Sequence, residues 1–345
     1  MQRPDRPKRL AMVKPDAAPA PRTYAIVGAG AIGAYVGAAL ARGGADVTLI
    51  ARGAHLAAMR ERGVFVYSER GDFHVRCRAT SDAFSVGTVD CVIVALKAHQ
   101  VAAMLPAIAS LCHDQTRVIA MQNGIPWWYF QQHGGQYEGL SLDSVDPGAQ
   151  LAQAFDPSRV VGCVVYCSTE IESPGIIRHI EGTRYALGRP DGTVDTELEE
   201  ISAAMTAGGL KAPIETDLRA QIWLKLLGNA ALNPISALTR STLAGMLRNP
   251  GVEALVREIM EECCALAQAL GVTLPVSIDK RIEGARKVGE HKTSMLQDVE
   301  RGRALELDCM TGAIVELGEI LGIPTPATRH VHQLTALLGT AIRAV

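Results

Sequence analysis

At 345 residues the chain exceeds the roughly 250–300 residues at which a single hydrophobic core stops growing, so two domains are expected. Hydrophobic residues make up 48% and charged residues 20%, a balance that excludes a disordered chain. A net charge of −2 gives no electrostatic reason to expect nucleic acid or an anionic membrane as partner, and apolar runs such as 90–97 fall far short of the roughly 20 residues that span a bilayer.

Residues 1–22 hold five prolines and an excess of basic residues without an apolar stretch, which argues against a secretory signal. They are expected to form a disordered extension, with Met12 as an alternative start. TYAIVG, from Thr23, reads as a buried strand, GAGAIGAYVGAALARGG as a helix that opens on glycines, and DVTLIAR as a second buried strand. Aliphatic runs without polar alternation point to a parallel sheet covered on both faces. The pattern recurs in DCVIVALK, a helix over 99–111, and TRVIAMQNG, which together predict a doubly wound α/β domain. The polar, Gly-rich stretch 127–158 reads as a loop or an excursion over a cleft. VVGCVVYCS, GIIRHI and RYALG read as short strands broken by Pro174, Gly175 and Gly182, an antiparallel extension of the same sheet. From Asp217 the chain reads as helix after helix. The expected division is therefore 23–216, α/β, and 217–345, all-α.

The eight cysteines form no CxxC pair; Cys91 sits in an apolar run, Cys163 and Cys167 in a strand pattern, Cys263 and Cys264 in a helical one. Core thiols, a reducing cytoplasm and no metal site are the expectation.

Gly28, Gly30 and Gly33 form GxGxxG between the first strand and the first helix. A side chain at Gly28 would obstruct the turn, one at Gly30 would hold the backbone off a pyrophosphate, and Gly33 lets helix and sheet approach. The helix offers its first N–H groups, those of Ala31 and Ile32 among them, to phosphate. An NAD-selective site usually carries an acidic residue about 20 residues further on; this strand end reads TLIARGAH, with Arg52 and no carboxylate. A guanidinium suits a 2′-phosphate, so NADPH is the expected cofactor; the competing reading is an ordinary exposed arginine.

In AQIWLKLLGNAALNP, Lys225 and Asn229 are four apart on one helix face, and Asn233 follows on nearly the same stripe before Pro234, which is expected to close the helix. A lysine held in a cleft can protonate a carbonyl oxygen as hydride reaches the carbon. A solvated helix face is the bland alternative. Glu306 reads as a carboxylate at a helix N-terminus and Ser294 as an N-cap, neither diagnostic alone.

Taken together, GAGAIG, LKAHQ, QNG, IWLKLLGNAALNP, TSMLQD and LELD resemble the ketopantoate reductase family, in its order and spacing, from about Thr23 to the C-terminal helices. The resemblance implies a Rossmann-type N-terminal domain, a helical C-terminal domain and an active site in the cleft between them. It implies reduction of 2-dehydropantoate to pantoate with NADPH, in pantothenate biosynthesis, and a possible homodimer. By position it implies Lys225 as general acid, Asn229 and Asn233 as substrate contacts, Glu306 on the substrate hydroxyl and Ser294 near its carboxylate. Asn123 would link cofactor and substrate, Lys97 would stand near the cofactor, and Arg52 would take the 2′-phosphate. Two features depart from the family. His291 stands where a polar contact, often Asn, is expected, and PWWYF at 126–130 is bulky for a small keto acid, either as packing between loop and sheet or as a remodelled pocket. Two other readings compete: a β-hydroxyacid dehydrogenase, which shares GxGxxG and the Lys–Asn helix, and an NADPH-sensing protein without turnover. Glu306 and TSMLQD favour the reductase.

Overall fold

The computed structural model describes residues 22–343. The extension expected over 1–22 lies outside the described residues except for Arg22, whose guanidinium pairs with Glu200.

β1 (Thr23–Val27) leads through the glycine turn into α1 (Ala31–Arg42), and β2 (Asp46–Ile50) leads into α2 (Gly53–Arg62). Three short strands that periodicity did not reveal come next: β3 (Val64–Tyr67), β4 (Phe73–Val75) and β5 (Arg78–Thr80). β6 (Val89–Val94) follows, then α3 (Ala98–Val101), α4 (Leu105–Ser110) and β7 (Cys112–Ala120). The single helix expected over 99–111 is thus two, joined by a 3-10 turn at Ala102–Met104, because Pro106 has no N–H to continue the ladder. After α5 (Gln150–Ala154), β8 (Val160–Ser173) and β9 (Ile176–Gly188) form one long antiparallel hairpin. Gly182 does not end a strand as expected. It stays within β9 at φ +72, where a Cβ would stand 2.2 Å from the Tyr166 carbonyl oxygen.

The strands assemble in the order β4-β3-β9-β8-β7-β6-β1-β2-β5, parallel from β5 through β8. Alternation along each strand divides the core in two. Tyr24, Ile26, Cys91 and Ile93 pack on one face against α1 and α6 (Thr196–Ala207). Ala25, Val27, Val92 and Val94 face the other way, into the core shared with the C-terminal helices. Because β2 and β6 flank β1 on opposite sides, the chain reverses direction of winding at β1, which places a crevice at the carboxyl ends of β1 and β6.

The remaining elements are helical: α7 (Leu218–Thr239), α8 (Leu243–Leu247), α9 (Pro250–Ala269), α10 (Ile278–Val288), α11 (Ser294–Glu300), α12 (Ala313–Leu321) and α13 (Pro326–Arg343). A π-helical turn at Asp308–Gly312 precedes α12. Pro234 does not close α7. The helix runs five residues further, to Thr239, because Asn233, Pro234, Ile235, Ser236 and Ala237 are all buried and packing outweighs one lost backbone hydrogen bond. Among the described residues no helix is long and apolar enough to cross a membrane.

PWWYF is packing. Trp128, Tyr129 and Phe130 are at most 2% exposed, and Trp128 sits over Gly162 of β8, where a Cβ would lie 2.3 Å from the indole. The Trp223 indole N–H donates to the Tyr129 hydroxyl at 2.7 Å, and the Arg219 guanidinium donates to the carbonyls of Tyr129, Gln131 and Pro190. This aromatic joint fixes the start of α7 against the sheet.

Candidate active site

The glycine turn closes the carboxyl end of β1. Gly28 adopts φ +93, and a Cβ there would stand 2.7 Å from Leu96. The N–H groups of Gly28 and Ala29 donate to the Ile50 carbonyl, at 3.2 and 2.9 Å, tying the turn to β2. At Gly33 a Cβ would stand 2.3 Å from the Gly28 carbonyl oxygen, so only glycine lets α1 come this close. At Gly30 it would meet open space, with its nearest neighbour 4.0 Å away. The first-turn N–H groups of Ala31, Ile32 and Gly33 have no partner within their own helix, as at any helix start. Arg52, next in chain after β2 and Ala51, is exposed, and its guanidinium has no partner among the described residues.

Three of the residues singled out by sequence meet just beyond β6 and β7, against β8. The Lys225 ammonium, presented by α7, donates to Asn123 Oδ1 and to the Val165 carbonyl of β8, each at 2.7 Å. Asn123, just beyond β7, donates through Nδ2 to Glu306 Oε2 at 3.2 Å. The amide therefore stands between an ammonium and a carboxylate, and this pairing dictates which end of it is oxygen. Glu306 accepts a further hydrogen bond from the Ala98 N–H, at the start of α3. The helix N-terminus that this carboxylate meets is consequently α3 and not the one that follows it in sequence: Glu306 lies in the extended chain ahead of the π-helical turn.

Desolvation lowers the pKa of Lys225 to about 8, and the charge of Glu306 resists that fall. The ammonium is thus mostly charged at neutral pH yet gives up its proton far more readily than a lysine in water.

Lys97, at the end of β6, does not join this cluster directly. Its ammonium is held by Asp298 of α11 at 2.6 Å and by the Ala304 carbonyl at 2.9 Å, so it bridges the sheet and the helical part. Asn229 and Asn233 lie further along α7, and their amides have no hydrogen bond among the described residues. Ser294 is the exposed first residue of α11 and not its cap; the cap is Thr293, whose Oγ1 accepts from Leu296 N–H at 3.2 Å. The Ser294 hydroxyl and the His291 ring likewise have no hydrogen-bond partner among the described residues. Asp298, the Val165 carbonyl and the Ala98 N–H were not singled out from sequence. Asp298 stands in the quoted TSMLQD run, four residues after Ser294, but backbone groups leave no mark in a sequence.

The arrangement provides a proton donor of lowered pKa, a carboxylate one amide away, and unpaired amides on the same helix, beside a turn shaped for a dinucleotide. A family profile described as "Ketopantoate reductase PanE/ApbA" matches residues 24–192, and one described as "Ketopantoate reductase PanE/ApbA C terminal" matches residues 217–338. A curated protein of Mesorhizobium japonicum named 2-dehydropantoate 2-reductase is 47% identical over 314 residues, 91% of this chain and 96% of that one. Among solved structures, a PanE/ApbA family ketopantoate reductase from Ralstonia eutropha JMP134 superposes with a TM-score of 0.81 at 30% identity, covering 93% of this chain and 99% of that one. The 2-dehydropantoate 2-reductase of Geobacter metallireducens GS-15 superposes with a TM-score of 0.80 at 28% identity, covering 91% and 99%.

Proposed function

The chain belongs to the ketopantoate reductase family, and we propose that it reduces 2-dehydropantoate to pantoate with NADPH, with Lys225 as general acid. The observation that carries the proposal is the hydrogen-bonded set Lys225–Asn123–Glu306 at the strand ends beside the glycine turn.

The residues present fit the cofactor. Gly30 leaves open space where a phosphate would approach, and Arg52 is exposed and unpaired where a 2′-phosphate would lie. Gly28, Gly30 and Gly33 with the N–H groups of Ala31 and Ile32 would hold the pyrophosphate, Arg52 the 2′-phosphate, and Lys97 and Asn123 would stand at the nicotinamide end. Bound NADPH supplies the hydride. Lys225 donates a hydrogen bond to the keto oxygen in place of the one it gives Asn123, then gives that oxygen its proton as the carbonyl carbon is reduced, so the ketone becomes an alcohol. Glu306 accepts from the substrate hydroxyl, while Asn229, Asn233 and Ser294 offer the remaining polar contacts. In this reading residues 23–216 hold the cofactor and residues 217–345 bring the acid to it, in the cytoplasm. A sensor without turnover would have no use for a lysine desolvated beside a carboxylate.

The test is NADPH consumption by the purified chain with 2-dehydropantoate and with 2-ketoisovalerate, which lacks the hydroxymethyl group. A pocket that hydrogen-bonds a hydroxyl rejects analogues without it, so 2-dehydropantoate should lead by at least about tenfold in kcat/KM, and Glu306→Ala should erase most of that lead. A wild type that ignores 2-dehydropantoate, or a preference that survives Glu306→Ala, would defeat the substrate assignment.

A further inference from the structure

Arg281, in the first turn of α10, carries a charge that its surroundings do not answer. Its guanidinium packs against α7 at Gly228, where a Cβ would stand 2.0 Å from Nη2, 2.7 Å from Cζ and 2.8 Å from Nε. Nε is buried without a hydrogen bond, and among the described residues no carboxylate pairs with this side chain. Burial lowers its pKa, and the Tyr166 phenol is the group near enough to oppose that. Burying a cation without a counter-charge is costly, so a site that keeps one usually receives an anion.

The position indicates which anion. Gly228 lies one turn beyond Lys225 on α7 and next to Asn229. The Tyr166 ring connects the two cations: its centroid is 5.9 Å from the Lys225 ammonium, and its hydroxyl donates to the Gln221 carbonyl, one turn before Lys225. Arg184, the other arginine at this ring, is already engaged by Glu215 at 2.6 Å and Gln221 at 3.2 Å. Arg281 is the one left unneutralised.

We propose that Arg281 binds the carboxylate of the keto-acid substrate, gripping it with the planar fork that Gly228 leaves room for on α7. The proposal rests on the function assigned above and adds the group that recognises the acid's charge. Ser294, which the family resemblance places near that carboxylate, offers a hydroxyl and no charge. A guanidinium supplies both the charge and two parallel N–H donors.

The experiment compares 2-dehydropantoate with its uncharged primary amide. Arg281→Gln should raise KM for the acid about 10–100-fold, while KM for the amide and the affinity for NADPH, read by fluorescence, change less than about threefold. Arg281→Lys keeps the charge without the fork, and should fall between wild type and Arg281→Gln in its preference for acid over amide; it carries the test if the Gln variant does not fold. Equal losses on acid and amide, or no loss on either, overturn the proposal. Running the same acid–amide pair built on 2-ketoisovalerate separates the two readings. A wild type inactive on 2-dehydropantoate but charge-selective through Arg281 on the smaller acid defeats only the substrate assignment.

Discussion

The pH at which keto-acid reduction fails should report Lys225, and it should move when Glu306 loses its charge. Lysine in water titrates near 10.4. Desolvation brings Lys225 to about 8 against the pull of Glu306. A general acid acts in its protonated form, so kcat/KM, which reports the free enzyme, should be flat below about 8 and fall roughly tenfold per pH unit above it. The hydrogen bonds of 2.7 and 3.2 Å through Asn123 link the two groups. That geometry puts their charges roughly 7 Å apart, which at an effective dielectric constant of about 20 is worth about 2 kcal/mol. Such an interaction moves a titration by about 1.5 pH units. Glu306→Gln keeps the shape and an acceptor oxygen but removes the charge, so the break should fall to roughly pH 6.5, whatever happens to the absolute rate. The assay is the initial rate of NADPH absorbance loss from about pH 5.5 to about pH 10, with Lys225→Met as reference, expected to lose roughly 10²–10⁴ in kcat. A break that stays put in Glu306→Gln, or one that persists in Lys225→Met, would refute the reasoning.

Arg52→Ala should weaken NADPH by roughly 1–3 kcal/mol and leave NADH nearly untouched, read as the ratio of the two kcat/KM values; equal use of both cofactors by the wild type would remove Arg52 from the 2′-phosphate. Gly30→Ala should leave the melting temperature unchanged, since its Cβ meets open space, yet raise KM for NADPH about tenfold by filling the approach to the pyrophosphate. Gly33→Ala should instead destabilise the fold by about 1–3 kcal/mol, because its Cβ would collide with the Gly28 carbonyl; the opposite pattern in thermal melts would displace the cofactor turn.

Local physics made much of this protein readable before any coordinates. The runs TYAIVG and DCVIVALK are strands because aliphatic residues without alternation suit a sheet covered on both faces, and the glycine spacing marks a turn because Gly28 alone tolerates φ +93 there. The shared face of Lys225 and Asn229 follows from helical period alone. β3, β4 and β5 escaped notice because three- and four-residue strands carry too few side chains to show a period.

What only the tertiary structure decided lies wherever a residue's partner is remote in sequence. Pro234 reads as a stop, yet α7 continues through it because its neighbours are buried on all sides. The family resemblance puts Lys97 near the cofactor, yet it takes the tertiary structure to show that an aspartate 201 residues away holds it. The lowered pKa of Lys225 comes from desolvation by the surrounding fold, which outweighs the pull of Glu306, and the helix sequence encodes neither. Arg281 looks like any surface arginine of an amphipathic helix until Gly228 is found beneath it. Backbone geometry and periodicity are set by neighbours along the chain, whereas desolvation and charge pairing depend on which distant segments the packed core brings within a few ångströms, and that is a property of the whole fold.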